Sequence, residues 1–266
     1  MHQLRHTVLL FALAASVGVS AQGRAAADQQ DREAADRITA LSSHLQFDSD
    51  DPEATSRLAE LGSWTERLVD EVDHYIRSAI RADEGSQRIQ ARLRSVLASN
   101  APEPEHADLP LAQIADLSGG QSLAVAYTVV RGPHHDWSTI RGYHWDADRF
   151  QLVATTGDDF GKYNATGEFE GYSMFKAVLP SPLKNELWLL AWGQAHTFNG
   201  KRVRVRVYAF DGEKFTTAWK PEDVFNADVH VTGSGFVIDH ELLTATAYQK
   251  MHDVYVLTAD GPIKTN

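Results

Sequence analysis

The stretch that decides the fold occurs twice, as YHWDADRF at residues 143–150 and as YAFDGEKF at residues 208–215, 65 positions later (143 to 208). In both copies an aromatic segment enters a short acidic turn, and a basic residue and a Phe follow the turn. This pattern is typical of a tight β-hairpin that buries one face. Because an internal repeat indicates a repeated structural unit, the two copies predict architecture and leave the chemistry open.

The repeat extends upstream of the hairpin. Residues 123–130 correspond to residues 187–194, and each segment is followed by a loop of similar length before the repeated strand begins. The hairpin resembles the outer pair of strands in a β-propeller blade, and Asp260-Gly261 has the composition of a third such turn. A closed propeller needs at least about four blades of about 40 residues, which this region barely reaches. We therefore expect propeller-like or sandwich-like units that do not close into a ring.

The apolar spacing divides the chain into two regions. In residues 22–100 apolar residues recur every three or four positions, as in amphipathic helices. Residues 101–110 read as a Pro-rich linker, and residues 111–266 show short alternating runs between turn signals, as antiparallel strands do. The predicted fold class is α+β, with N-terminal amphipathic helices followed by a mostly antiparallel β domain. We expect the helices to cover one open sheet edge, because uncovered edges aggregate.

The first 21 residues have the layout of a secretory signal peptide. Arg5 precedes an apolar run over residues 7–19, and the small residues Val19-Ser20-Ala21 supply a cleavage pattern before Gln22. The run is too short to span a bilayer, so no membrane span is expected. The chain has no cysteine, which excludes disulfides and thiol chemistry. These features predict an exported protein, in the periplasm or outside a bacterial cell.

The charge balance argues against nucleic acid as a partner. The chain has 25 basic and 36 acidic residues, for a net charge of -11, and phosphate backbones are bound by basic surfaces. One basic segment stands out, KRVRVRV at residues 201–207, whose alternation places Arg202, Arg204 and Arg206 on one strand face. Three guanidinium groups at this spacing can hold a carboxylate, sulfate or phosphate. The alternative is a solvent-facing side paired with acidic residues.

Histidines mark the loops that differ between the two copies of the repeat. The first loop contains His134, His135 and Asp136, and the second contains His196, so the repeat predicts that they meet on one rim. Imidazole and carboxylate are metal ligands, but adjacent residues seldom face one ion and no third ligand is fixed by spacing. We therefore expect ligand contacts here and no metal.

Signals for catalysis are weaker. A hairpin about Gly233-Ser234-Gly235 predicts that Asp228 faces His240, a pair that can orient a general base. The acidic loop over residues 157–171 can supply paired carboxylates, although a surface excursion is the simpler interpretation. No nucleophile elbow and no cofactor motif accompany them.

The leading interpretation is a non-enzymatic exported protein whose β domain is a ligand-binding or protein-interaction module. Its partner would be a protein, a glycan or a small anionic ligand, and no cofactor is implied. The alternative is a secreted hydrolase acting on glycans or esters. That alternative requires a concave pocket in which two carboxylates, or an Asp and a His, converge.

Overall fold

The computed structural model describes residues 26–45, 54–97, 109–131, 136–163, 169–197, 200–244 and 247–266. The predicted signal peptide and most of the predicted linker lie outside these ranges. The helices are α1 (residues 26–42), α2 (Ala54–Ala79) and α3 (Ser86–Leu97), and a 3-10 turn (Ala82–Glu84) joins the last two. They occupy the region in which the apolar spacing predicts helices.

Fourteen strands follow the helices in the described part of the chain. They are β1 (Leu111–Leu117), β2 (Gly120–Arg131), β3 (Asp136–Asp146), β4 (Arg149–Thr156), β5 (Gly161–Tyr163), β6 (Phe169–Gly171), β7 (Ser173–Leu179), β8 (Leu187–Thr197), β9 (Gly200–Phe210), β10 (Phe215–Trp219), β11 (Val224–Val231), β12 (Gly235–Leu243), β13 (Tyr248–Thr258) and β14 (Gly261–Lys264). Every strand pairing is antiparallel. The predicted α+β class is confirmed.

Both copies of the repeated motif form hairpins. Asp146 pairs with Arg149 at the β3–β4 turn, and Phe210 pairs with Phe215 at the β9–β10 turn. Thr258 pairs with Gly261 around the third predicted turn, between β13 and β14. Each hairpin therefore joins the last two strands of a run of four consecutive antiparallel strands: β1–β4, β7–β10 and β11–β14.

The sheets are open. One sheet has the order β1-β2-β3-β4, and the larger one runs β14-β13-β12-β11-β9-β8-β7, with β10 also paired to β9. Strand β9 branches, because its end pairs with β10 while Arg202 and Val203 near its start pair with β11. Within the residues that the structure describes, no sheet closes on itself.

The β region is built in layers, which strand β2 makes clear. Its residues Leu123, Val125 and Tyr127 pack with the helices, while Ala124 and Ala126 on the other face pack against the larger sheet. The opposite face of β8 and β9 packs in turn on β11 and β12. The order of the layers is therefore helices, first sheet, β7–β10 and β11–β14, and two of the layers are buried on both faces.

The helices contact both a face and an edge of the first sheet. On the face, the carboxylate of Asp73 in α2 accepts hydrogen bonds from Arg141 Nε at 2.8 Å and from Tyr143 Oη at 2.6 Å. On the edge, Ser86 Oγ in α3 accepts a hydrogen bond from the backbone N–H of Ile114 in β1 at 2.9 Å. The outward N–H groups of an edge strand need such partners, so α3 covers this edge.

Candidate functional site

The arginine strip consists of Arg202, Arg204 and Arg206 on β9. Because side chains alternate along a strand, the intervening valines are buried against β11 and β12 and the three arginines share the other face. Exposure of the arginine side chain rises along the strip from 5% at Arg206 to 23% at Arg204 and 39% at Arg202. The strip therefore runs from the protein interior to the surface.

Two carboxylates hold the strip in place. Asp223 accepts two hydrogen bonds from Arg204, from Nε at 3.0 Å and Nη2 at 2.9 Å, and lies 3.3 Å from Nε of Arg202. Asp159 accepts a hydrogen bond from Lys220 Nζ at 3.0 Å, and its carboxylate lies 3.4 Å from Nε of Arg206. Bidentate pairing fixes the plane of the Arg204 guanidinium, which a single contact would not do.

Tyr172 joins the exposed end of the strip to Asp223. Its hydroxyl accepts a hydrogen bond from Arg202 Nε at 2.7 Å and donates one to Asp223 at 3.1 Å, and its ring lies 4.4 Å from Cζ of Arg204. Gly193 makes room for it, since a Cβ there would lie 2.5 Å from Cβ of Tyr172. The ring is thus held between backbone and guanidinium groups.

Electrostatics keep both carboxylates charged. Burial opposes the ionisation of Asp223, but the hydrogen bonds and charge of Arg204 outweigh it and lower the pKa of Asp223. At Asp159 burial is likewise outweighed by Lys220 and Arg206, so its pKa is also lowered. Four cations, the three arginines and Lys220, thus contact two carboxylates. The described ion pairs of the strip therefore contain more cations than carboxylates, on a chain whose net charge is -11.

The sequence pattern identified the arginines and missed their partners. Asp159 falls in the acidic loop for which the sequence favours a surface excursion, and Tyr172, Lys220 and Asp223 lie outside the segment that forms the strip. No local signal marks these residues, because only the packing of the strands brings them to β9.

The histidine loops give less information. His134 and His135 lie outside the described residues, and for Asp136 and His196 the structure describes only the strand positions, opposite Arg131 and Lys201. Whether the histidines meet on one rim therefore stays a prediction. Within the described ranges, no group of three or more His, Asp or Glu side chains is arranged to hold a metal ion.

The predicted pairing of Asp228 with His240 is wrong by one residue. Asp228 pairs with Asp239, because Thr232 and Gly235 close a two-residue turn where the prediction assumed three residues. A shift of one position moves a side chain to the other face of the sheet. His240 instead lies 3.2 Å from Asp253, measured between Nε2 and Oδ2.

Apart from the arginine strip, a polar cavity lies on strands β11–β13. It has a volume of about 370 Å³ and is lined by Asp228, Asp239, Glu241, Asn226, His240, Lys250, Met251 and His252. Nδ1 of His252 lies 2.6 Å from Asp239 Oδ1, so an imidazole and a carboxylate are hydrogen-bonded in it. Among the described residues that line it there is no Ser, Thr or Cys, so these residues supply no hydroxyl or thiol nucleophile.

Comparison of the chain with protein-family models, with curated proteins and with solved structures finds no match. Among the described helices, none has the length and apolar character required to cross a membrane.

Proposed function

We propose that this protein is an exported, non-enzymatic binding protein that captures an anionic ligand on the arginine strip of β9. The observation that carries the proposal is the excess of cations over carboxylates at the strip, with Arg202 at its exposed end. The ligand class is a sulfated or phosphorylated glycan or another small or polymeric anion.

Arg202, the most exposed arginine of the strip, is the residue that an incoming ligand contacts first. Its Nε and Nη2 donate to Tyr172, while for Nη1 no hydrogen bond is recorded within the described residues. A guanidinium presents five N–H donors in a fixed plane, so the unused edge of Arg202 suits an oxyanion. Arg204 and Arg206 lie deeper, where lower solvent exposure strengthens their attraction for a negative charge.

The scaffold is proposed to consist of propeller-like units stacked without ring closure. Three four-strand runs, each ending in a hairpin at an equivalent position, support this interpretation. In such a stack the inner strands are buried on both faces, so a charged row on β9 needs internal partners, and Asp159 and Asp223 supply them.

Isothermal titration calorimetry with dextran sulfate, and with unsulfated dextran as the reference, tests the anion site. We expect binding of dextran sulfate alone, weakened about tenfold in Arg202→Gln because a charge-assisted contact is lost. Lys201→Gln is the matched control, since Lys201 is exposed on the same strand and points to the opposite face. Equal weakening in both variants would mean that only the overall charge matters, and the proposal would fail.

Export rests on the signal-peptide pattern of residues 1–21 and is tested separately. The full chain expressed in a bacterial host should be recovered from the periplasmic or extracellular fraction, shortened at its N-terminus. A variant that begins at Gln22 should remain in the cytoplasm. Recovery of both forms from the same compartment would contradict export by this segment.

The second candidate function is hydrolysis of glycans or esters, which the Asp239–His252 pair in the 370 Å³ cavity favours. A His held by a carboxylate can act as a general base on water. Turnover of p-nitrophenyl acetate or of p-nitrophenyl glycosides should then fall at least about 100-fold in His252→Ala. Turnover that persists unchanged in this variant would remove the basis for the second candidate.

A further inference from the structure

A cavity lies between α1 and α2, among the helices and outside the arginine strip. Its volume is about 660 Å³, which is in the range of small-molecule sites. The side chains that matter for its chemistry are Arg37, Leu41, His44, Trp64, Arg67 and Asp70.

The charges that line this cavity are only partly paired with one another. Arg37 Nε donates to Glu71 at 2.7 Å, which neutralises both. Over the described ranges neither Arg67 nor Asp70 has an ion-pair partner, and both side chains are exposed. One positive and one negative group are therefore left, three residues apart on the same face of α2, where Cβ atoms are about 5–6 Å apart.

An apolar wall lies beside these two charges. Trp64 is half-buried and stacks on His44 with ring centroids 3.8 Å apart and an interplanar angle of 6°. Cζ of Arg67 lies over the Trp64 ring, 4.3 Å from its centroid, so its positive charge lies against this wall. The half-buried side chain of Leu41 adds aliphatic surface from α1.

We propose that this cavity binds a zwitterion with an apolar side chain, namely an amino acid or a dipeptide. The ligand carboxylate pairs with Arg67, its ammonium group pairs with Asp70, and its side chain contacts Trp64 and Leu41. A dipeptide spans at most about 7 Å, which is comparable with the spacing of about 5–6 Å between Cβ atoms of residues three apart on a helix. The proposal concerns a second site and does not depend on the anion site of β9.

Charge complementarity favours this class of ligand over the others. A simple anion would pair with Arg67 but meet Asp70, and a simple cation would pair with Asp70 but meet Arg67. A neutral apolar molecule would desolvate Arg67 and Asp70 without replacing their hydrogen bonds to water, which costs free energy. A zwitterion alone satisfies both groups.

The test uses the full chain and three probes: glycyl-leucine, its N-acetylated form and its C-terminal amide. By isothermal titration calorimetry we expect glycyl-leucine to bind, and each blocked form to bind about five- to tenfold more weakly. In Arg67→Gln the amide should bind as well as glycyl-leucine does. In Asp70→Asn the N-acetylated form should bind as well as glycyl-leucine does.

Arg77→Gln is the matched control, because Arg77 is an exposed arginine of α2 that does not line the cavity. It should bind all three probes as the unmodified protein does, and thermal unfolding should confirm that every variant is folded. The proposal is overturned if glycyl-leucine does not bind at millimolar concentration, if the three probes bind equally, or if Arg77→Gln matches Arg67→Gln. Should a variant not fold, the comparison of the three probes on the unmodified protein still decides the question.

Discussion

At the scale of single residues, the polar contacts that matter most are buried between layers. Asp73, Arg141 and Tyr143 are all buried, and the carboxylate of Asp73 is the hydrogen-bond acceptor for both other side chains. Burial raises the pKa of Tyr143 well above its usual value, so the phenol stays a donor. A buried charge is tolerated only while its partner is present. Because Asp73 belongs to α2 and Arg141 to β3, this ion pair is needed to hold the helices on the first sheet.

Removing Asp73 should therefore destabilise the whole protein. Asp73→Ala leaves Arg141 charged and buried, and we expect the free energy of unfolding to fall by about 3–5 kcal/mol. Urea titration followed by circular dichroism measures it. Glu66→Ala, at an exposed position of the same helix, should change it by less than about 0.5 kcal/mol. Similar losses in the two variants would show that the pair contributes nothing specific.

Acid should weaken the contacts around the arginine strip. The pKa of Asp159 and of Asp223 is lowered in the folded protein, so their contribution to stability is fully present above the usual carboxyl pKa of about 4. That contribution is lost as pH falls from about 4 through the lower folded values.

The measurement that checks this is the midpoint of urea unfolding as a function of pH. Asp223→Asn should show a smaller decrease in stability than the unmodified protein between about pH 5 and about pH 2. Glu222→Gln, an exposed neighbour, should follow the unmodified curve. If acidification lowers the stability of Asp223→Asn as much as that of the unmodified protein, Asp223 does not contribute to the acid sensitivity and the prediction is contradicted.

At the scale of elements, two layers approach each other closely at a glycine, which has no side chain to keep them apart. Gly142 on β3 faces Phe210 on β9, and a Cβ at Gly142 would lie 2.6 Å from the Phe210 ring. Phe210 in turn stacks on Phe215 across the β9–β10 hairpin, with ring centroids 4.6 Å apart. The repeated motif therefore supplies, in its second copy, the aromatic pair that packs against the first sheet.

Adding one methyl group at Gly142 should disturb this packing. We expect Gly142→Ala to lower the free energy of unfolding by about 1–3 kcal/mol, because the rings of Phe210 and Phe215 must shift in a filled core. Differential scanning calorimetry should show a lower Tm. Gly233→Ala, in an exposed turn where a Cβ meets nothing within 4 Å, is the control and should leave Tm nearly unchanged.

At the scale of the whole molecule, the helices act as the outer layer of the β stack. The face of the first sheet that contains Leu123, Val125, Tyr127, Tyr143 and Phe150 belongs to the same hydrophobic core as the helices. At the opposite end, the outward positions of β11–β13 include the polar residues Asp228, Asp239 and His252.

The β region should consequently fail to fold on its own. A fragment of residues 109–266 exposes the apolar face of the first sheet and leaves Arg141 without Asp73. We expect it to aggregate, or to bind a hydrophobic dye without a cooperative thermal transition. Size-exclusion chromatography and calorimetry give the answer, and a monomeric fragment with a cooperative transition would contradict the shared core.

The sequence by itself determined the helical and β regions, the antiparallel pairing, the two hairpins at residues 143–150 and 208–215, and the single face shared by Arg202, Arg204 and Arg206. These features follow from spacing and turn chemistry, which act over a few residues. The sequence prediction of the β11–β12 register is wrong because a single turn residue decides it. Only the tertiary structure decided that Asp159, Tyr172 and Asp223 meet the strip and that α1 and α2 line a cavity, because contacts between distant segments depend on how the layers pack.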